Sequence, residues 1–274
     1  MTTSIRPPAV AGRFYPRDAD ILLADVRSYL SSATKTPATK TPALGCIAPH
    51  AGYTYSGHVA GAVFSKVEIP RRCLILCPNH TGRGTPLSTM SHGQWTTPLG
   101  AVPIDSELAE ALKRKFPLLS EDPEAHRAEH AIEVELPFLQ TLRPDLTLVP
   151  IAVGTSDFGV LAALGKAAAE VLKAQAEPVL IVASSDMNHY ESDAVTRVKD
   201  AQAIDRILAL DARGLFDVVM QEKISMCGFG PVVAMLTAAR LMGARSAELV
   251  KYATSGDVSG DRQMVVGYSG VIVR

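Results

Sequence analysis

The chain has 274 residues, of which 47% are hydrophobic, and a formal net charge of −1 at pH 7. This length and composition fit a globular protein with a sizeable core. A nearly neutral chain provides no basic field for nucleic acid or an anionic membrane. The first residues lack the apolar stretch of a signal peptide, and no window reaches the roughly 20 apolar residues of a membrane span. We therefore expect a cytoplasmic protein that binds neither nucleic acid nor membrane.

Helix and strand patterns alternate along the chain. A first helix is predicted at 18–31, followed by an exposed loop rich in Thr and Pro at 31–43. Short apolar runs predict strands at 43–49, 73–77, 146–153, 178–184, 247–253 and 264–273. Apolar residues at helical spacing predict further helices at 106–116, 157–175, 193–210 and 231–242. Thr155 or Ser156 can cap the helix at 157–175, and Gly243 can end the last one.

Several of these strands are apolar on both faces, which is typical of strands buried between two helix layers. No linker divides the chain, so we predict one α/β domain over residues 1–274. The predicted architecture is a three-layer sandwich around a mixed, largely parallel sheet. Cys73 and Cys77 lie in one strand-like run, about 13 Å apart and too far for a disulfide, so we expect small core residues there.

Polar side chains follow the predicted strands. His50 follows the first, His80 the second, Asp186 and His189 the fourth, and Asp257 the fifth. Because ligands of open α/β sheets bind beyond the carboxyl ends of the strands, we expect these groups on one rim. Imidazole is the commonest metal-binding side chain, so three histidines at three strand ends indicate a metal site.

Cys227 precedes the helix predicted at 231–242. The positive end of a helix dipole favours the thiolate, which is the metal-binding and nucleophilic form of cysteine. A half-buried structural cysteine is the alternative interpretation. His58, His92 and His126 are treated as ordinary loop histidines.

The stretch at 126–130 has the sequence H-x-x-E-H. On one helix it would offer His126 and His130 as zinc ligands and Glu129 as a base. We predict instead that the helix begins close to Glu129 and is interrupted at Pro137, with His126 in the preceding loop. Walker A, G-x-G-x-x-G and G-x-S-x-G motifs are missing from the sequence, so no nucleotide cofactor is expected.

Seven stretches together resemble the Memo family, also called the AmmeMemoRadiSam system protein B family. In order from residue 6 to residue 270 they are RPPAVAGRFYP, PHAGYTYSG, PNHTG, EHAIEVELPFLQ, SSDMNHY, CGFGP and YATSGDVSGD…VVGYSG. Ala131 departs from the pattern, where serine is expected.

That family resembles the class III extradiol dioxygenases of the LigB type, which hold non-haem Fe(II) with two His and one Glu on an α/β fold. The resemblance implies that His50 and His80 are the two His ligands and that Cys227 replaces the Glu. It implies acid–base or substrate roles for His130 and His189. A thiolate is softer than a carboxylate and is itself oxidisable, so dioxygenase activity does not follow.

Three functions are compatible with these residues. The first is a metal-dependent redox enzyme with iron or copper, or with zinc as the alternative metal, acting on a small molecule or peptide. Its predicted metal ligands are His50, His80 and Cys227, its catalytic residues His189, His130 and Asp186, and its substrate-binding residues Tyr53, Tyr55, Glu129 and Asp257. The second is a non-catalytic binding or scaffold protein, for which the family name implies an AMMECR1-like protein and a radical SAM protein as partners. The third is a zinc hydrolase.

Overall fold

The computed structural model describes residues 4–32 and 40–274. In these ranges the helices are α1 (Ala19–Ser32), α2 (Tyr53–Lys66), α3 (Ser106–Lys115), α4 (Glu124–Arg127), α5 (Ala131–Leu142), α6 (Phe158–Lys173), α7 (Asp193–Leu208), α8 (Ala212–Gln221), α9 (Phe229–Met242) and α10 (Gly256–Ser259). The strands are β1 (Ile5–Arg6), β2 (Gly45–Ala48), β3 (Arg72–Pro78), β4 (Leu87–Thr89), β5 (Gln94–Thr97), β6 (Gly100–Pro103), β7 (Ser120–Glu121), β8 (Thr147–Val153), β9 (Val179–Ser184), β10 (His189–Glu191), β11 (Ala247–Thr254) and β12 (Val265–Val273).

The central sheet has nine strands within the described ranges, in the order β10-β12-β2-β9-β3-β8-β4-β7, with β11 also paired to β12. The four middle strands, β2, β9, β3 and β8, run parallel to one another. The flanking strands β12 and β4 are antiparallel to their inner neighbours. A separate three-stranded sheet contains β1, β5 and β6. The prediction of a mixed sheet is confirmed, and its parallel strands form the centre.

The middle strands are buried on both faces, as their composition predicts. Along β3, Leu74 and Leu76 pack in one hydrophobic core, whereas Cys73, Ile75 and Cys77 pack in the other. Successive side chains of a strand point to opposite faces, so each core lies between the sheet and one layer of helices. The first core takes residues from α3, α6, α7, α8 and α9, and the second from α1, α2 and α5. The three-layer α/β sandwich is therefore confirmed, and Cys73 and Cys77 are small core residues.

The loop predicted at 31–43 is corrected at both ends. Ser31 belongs to α1, and residues 33–39 lie outside the described ranges. Thr41 pairs with the chain around Val67 through two backbone hydrogen bonds, Thr41 N–H to the Lys66 carbonyl and Glu68 N–H to the Thr41 carbonyl. These bonds explain why the chain at Thr41 is held beside the end of α2 rather than looping freely.

Two further local predictions are wrong. The residue that caps α6 is Asp157, whose side chain accepts a hydrogen bond from the Val160 N–H, rather than Thr155 or Ser156. Pro137 lies inside α5 without ending it. Apolar side chains of α5, including Leu136 and Phe138, are fully buried, and this packing outweighs the backbone hydrogen bond that proline removes.

Helix α2 follows His50 directly and was not predicted. Two of its glycines allow α1 to approach closely: a Cβ atom at Gly61 would lie 2.6 Å from the Tyr29 carbonyl oxygen, and one at Gly57 would lie 2.8 Å from the Tyr29 ring. Glycine lowers helix propensity, so these close contacts also weaken the helical pattern in the sequence. Within the described residues, no helix has the length and apolar character needed to cross a membrane.

Candidate metal centre

His50 lies two residues beyond the end of β2 and is almost fully buried. Its backbone N–H donates to Asp186 Oδ1 at 2.9 Å, and its ring Nδ1 lies 2.8 Å from Ser184 Oγ, at the end of the neighbouring strand β9. The Ser184 hydroxyl donates to the Ala131 carbonyl, so it is free to accept a hydrogen bond from His50 Nδ1. This arrangement leaves the lone pair of His50 Nε2 available to a ligand.

His80 lies two residues beyond the end of β3, beside the buried carboxylate of Glu129. Glu129 accepts the His80 backbone N–H at 2.6 Å and lies 2.9 Å from His80 Nδ1. A carboxylate on Nδ1 fixes the ring orientation and leaves Nε2 outward, the arrangement that commonly supports metal-binding histidines. Burial lowers the pKa of His80, but the hydrogen bond to Glu129 and the negative charges of Glu129 and Asp186 together outweigh burial, so the net pKa is raised. Burial raises the pKa of Glu129, but the hydrogen bond to His80, the charges of His80 and His130 and the Ala131 N–H together lower it further than burial raises it.

His130 immediately precedes α5, and its backbone N–H donates to the same Glu129 carboxylate at 2.8 Å. Its ring centroid lies 4.6 Å from that of His80 and 5.4 Å from that of His50, and the latter two are 5.1 Å apart. In the described part of the chain these three histidines form a group in which one donor atom from each lies within 4.8 Å of the others. Burial lowers the pKa values of His50 and His130, which favours the neutral imidazole that metals bind.

Cys227 precedes α9, with its Sγ 3.3 Å from His50 Nε2. Two ligands of one tetrahedral metal, one S and one N, would lie about 3.5 Å apart, so this separation is compatible with a shared ion. Cys227 is not, however, in the group of donor atoms that all lie within 4.8 Å of one another, where His130 stands in place of the predicted cysteine. The expectation of a thiolate is not met in this environment. Burial, followed by the nearby Asp186 charge, raises the pKa of Cys227 well above its usual value. A thiolate here would therefore need the positive charge of a cation.

Asp186 and His189, which follow β9, lie close to the histidine group. Burial raises the pKa of Asp186 to about 6, while His189 and the hydrogen bond from His50 oppose the shift. His189 Nδ1 lies 2.9 Å from the Ser225 carbonyl oxygen and therefore carries the proton, which leaves its Nε2 free to accept one. Sequence reasoning missed the positioning groups Ser184 and Ser225. For Ser184 the sequence did contain one signal, its position at the end of an apolar run. Ser225 has no such signal.

The four residues predicted to bind substrate lie in different environments. Tyr55 is exposed, whereas Tyr53 is buried and its hydroxyl donates to the Val134 carbonyl at 2.8 Å. Glu129 is buried behind His80. Asp257 is paired with Arg197 and Arg262, at 2.8 and 3.1 Å. The structure thus engages Tyr53, Glu129 and Asp257 in internal contacts, and their substrate roles stay predictions.

The H-x-x-E-H stretch does not form a single-helix zinc motif. His126 belongs to the short helix α4, not to a loop, and His130 immediately precedes α5. The His126 side chain is fully buried with its ring centroid 5.7 Å from that of Trp95. Burial, together with the Arg6 charge, lowers its pKa to about 4, so this ring is a neutral core group.

The fold and these contacts define an α/β protein with a histidine-rich centre at the carboxyl ends of parallel strands. Its donor set of three imidazoles and one adjacent thiol fits a transition metal. The chain belongs to the Memo family, because the family model described as Memo-like protein matches residues 6–272.

Two relatives agree with this assignment, and one solved structure shares the fold. Two relatives are 42% identical to the chain: MEMO1 family proteins of Methanothermobacter thermautotrophicus and of Methanopyrus kandleri. The alignments include 97% and 98% of this chain, respectively, and 99% of each relative. The crystal structure of an uncharacterized protein from Escherichia coli K12 matches 83% of this chain and 98% of its own, with a TM-score of 0.51 and 14% identity. That likeness concerns the fold alone.

Proposed function

We propose that the protein is a metal-dependent redox enzyme that holds iron or copper through His50, His80 and His130. The observation that carries this proposal is the convergence of three imidazoles, from the ends of two strands and the start of α5, onto one point. Ser184 and Glu129 face Nδ1 of two of these rings, so both present Nε2 to the same space. Such outer contacts are typical of built metal sites rather than of accidental histidine clusters.

The remaining polar groups have distinct proposed roles around the metal. A bound iron or copper ion would supply electron-transfer and Lewis-acid chemistry. Cys227 is a further donor beside His50, and it is stabilised as thiolate once a cation neutralises it. His189 accepts or returns a proton at Nε2, because the Ser225 carbonyl holds its Nδ1–H. Tyr55 lies exposed in the first turn of α2, where it can contact a small molecule or peptide.

A zinc hydrolase is the second candidate function, since three histidines with an open position are also a ligand set of catalytic zinc. In that case His50, His80 and His130 hold the metal, and the H-x-x-E-H stretch contributes only His130 and the supporting Glu129. The identity of the metal separates this candidate from the first.

Elemental analysis of protein purified without oxygen tests the proposal. The wild type should carry about one iron or copper ion per chain, and His80→Ala should lose it. His92→Ala is the matched control, because His92 is an exposed histidine paired with Glu110 on the surface. Zinc at the same stoichiometry would support the hydrolase. Failure of the wild type to take up Fe(II), Cu(I) or Zn(II) would contradict both and favour a non-catalytic binding protein.

A further inference from the structure

The N-terminal stretch RPPAVAGRFYP, residues 6–16, matches the family but has no role in the site described so far. Its first residue, Arg6, is 4% exposed, and its guanidinium lies 4.4 Å from the centroid of the Trp95 ring. Burying a guanidinium costs free energy unless its N–H groups are hydrogen-bonded. The hydrogen-bond partners of Arg6 therefore indicate its structural role.

The Arg6 guanidinium bonds to three acceptors, two in the segment that leads into α5 and one in the first turn of α5. Nε donates to the His126 carbonyl at 3.0 Å, Nη2 donates to the Glu129 carbonyl, and Nη1 pairs with the Glu133 carboxylate. These three acceptors lie on both sides of His130. One planar fork thus fixes the backbone of the turn that carries Glu129 and His130.

The same turn sets the geometry of two of the proposed ligands. The Glu129 carboxylate accepts the backbone N–H groups of His80, His130 and Ala131, and it faces His80 Nδ1. Displacement of the Glu129 backbone would therefore move the support of His80 and the ring of His130 together. A substitution at Arg6 would therefore alter the geometry of the metal centre, although Arg6 does not contact the proposed ligands directly.

The rest of the N-terminal stretch is anchored to the same region. The Glu133 carboxylate accepts the backbone N–H groups of Ala9 and Val10 at 2.8 and 3.0 Å, and the Tyr15 hydroxyl at 2.6 Å. Phe14, held between these anchors, has its ring centroid 4.8 Å from that of His130. The stretch therefore packs directly against one of the three histidines.

We infer that Arg6 is a positioning residue of the metal centre, and that the N-terminal stretch is part of the site rather than a peripheral strand. The inference rests on the proposed function, since it assigns Arg6 a part in metal binding. Loss of the guanidinium fork would loosen the turn at 126–131, misplace Glu129 and His130, and weaken metal binding by about tenfold or more.

The test uses Arg6→Gln and the milder Arg6→Lys, which keeps the charge but cannot reach three separate acceptors from one nitrogen. Arg72→Gln is the matched control. Arg72 is also a buried arginine, with a two-bond fork to Asp105, but it begins β3, about 20 Å along the strand from the end that leads to His80. Its loss should lower global stability without touching the metal centre.

Two measurements are compared across these variants. Hydrogen exchange of the metal-free protein reports opening of the turn at 126–131, and titration with Co(II), followed by its visible absorption, reports the affinity and geometry of the site. We expect at least tenfold faster exchange at 126–131 and at least tenfold weaker Co(II) binding in Arg6→Gln, smaller shifts in the same direction in Arg6→Lys, and wild-type Co(II) binding in Arg72→Gln.

The outcomes separate the inference from the proposed function. If Arg6→Gln binds Co(II) as the wild type does, or if Arg72→Gln weakens binding equally, the inference is overturned while the metal site stands. If the wild type takes up no Co(II), the proposed function fails. In that case hydrogen exchange is the remaining test of whether Arg6 holds the backbone at 126–131. Equal exchange rates there in Arg6→Gln and Arg72→Gln would show that it does not.

Discussion

Glu129 binds His80 twice, through the backbone N–H at 2.6 Å and through ring Nδ1 at 2.9 Å. One fully buried carboxylate therefore fixes both the main chain and the imidazole at the end of a central strand. The same oxygen that faces Nδ1 also accepts the N–H of His130. Two of the three histidines in the group thus share one anionic support, which makes Glu129 the most informative residue to change.

We predict that Glu129→Gln weakens metal binding by about tenfold to a hundredfold. The amide keeps the size of the side chain but removes the negative charge that raises the basicity of His80 and attracts a cation. Competition with a chelator of known affinity measures the effect. Glu110→Gln, which changes the carboxylate that pairs with the exposed His92, is the control and should retain wild-type affinity. Equal affinities in all three proteins would contradict this role for Glu129.

Ser184→Ala should lower both stability and metal occupancy. It leaves the Nδ1–H of the buried His50 without its acceptor, which costs about 1–3 kcal/mol, and it frees the ring to adopt the other tautomer. Urea unfolding of the metal-free protein and metal content after purification are the measurements. Ser88→Ala removes another fully buried hydroxyl, one that donates to the Thr85 carbonyl. It should lose stability while keeping its metal, and a wild-type metal content in Ser184→Ala would count against the tautomer argument.

Cys227→Ser should change which metal the site prefers. A serine hydroxyl fits the space of the thiol but is a hard donor, so Cu(I) affinity should fall by at least tenfold while Zn(II) affinity falls less. Parallel titrations with Cu(I) and Zn(II) test the difference. Cys73→Ala alters a buried cysteine of the core and should leave both affinities unchanged. An unaltered ratio of the two affinities in Cys227→Ser would show that the thiol is not a donor.

Asp200 provides a prediction on pH that is separate from the metal centre. Its carboxylate accepts the Asn188 N–H at 2.8 Å and the Tyr252 hydroxyl at 2.7 Å, and burial raises its pKa to about 7. Because the folded-state pKa lies above the unfolded value, this group favours the folded state below about pH 4. That contribution is lost as the pH rises to about 7.

Asp200→Asn should remove this loss, since an amide does not ionise. Relative to the wild type, the variant should gain stability between pH 4 and pH 8, on the order of 3 kcal/mol. Urea unfolding of the metal-free protein at both pH values measures the change. Asp205→Asn, on the exposed face of the same helix, should follow the wild type. A constant difference between Asp200→Asn and the wild type over this range would mean that Asp200 is not protonated near neutral pH.

The elements that the sequence predicts well are those with strong local patterns. The apolar strands and the placement of His50 and His80 beyond their ends follow from hydrophobic runs that stop abruptly, and the structure has them as expected. Helix α2 escaped prediction because Gly57 and Gly61 weaken the helical pattern, and the continuation of α5 past Pro137 escaped it because proline usually interrupts a helix. These residues are tolerated only because of tertiary packing that a local pattern does not contain.

The grouping of the site depends on contacts between distant segments. His130 is not at a strand end, and only the fold brings it within reach of His50 and His80. The protonation state of Cys227 could not be predicted from the sequence either. The helix that follows Cys227 predicts a thiolate, but burial raises the pKa of the thiol. Burial and neighbouring charge are properties of the folded chain, and neither can be derived from the spacing of residues.

The central claim is that His50, His80 and His130 bind one metal ion together. X-ray absorption at the metal edge, on protein prepared without oxygen, tests it most directly, because imidazole rings give a characteristic scattering pattern that can be counted. We predict about three imidazole ligands in the wild type and about two in His130→Ala. A metal surrounded mainly by oxygen ligands, or a pattern unchanged in His130→Ala, would contradict the claim.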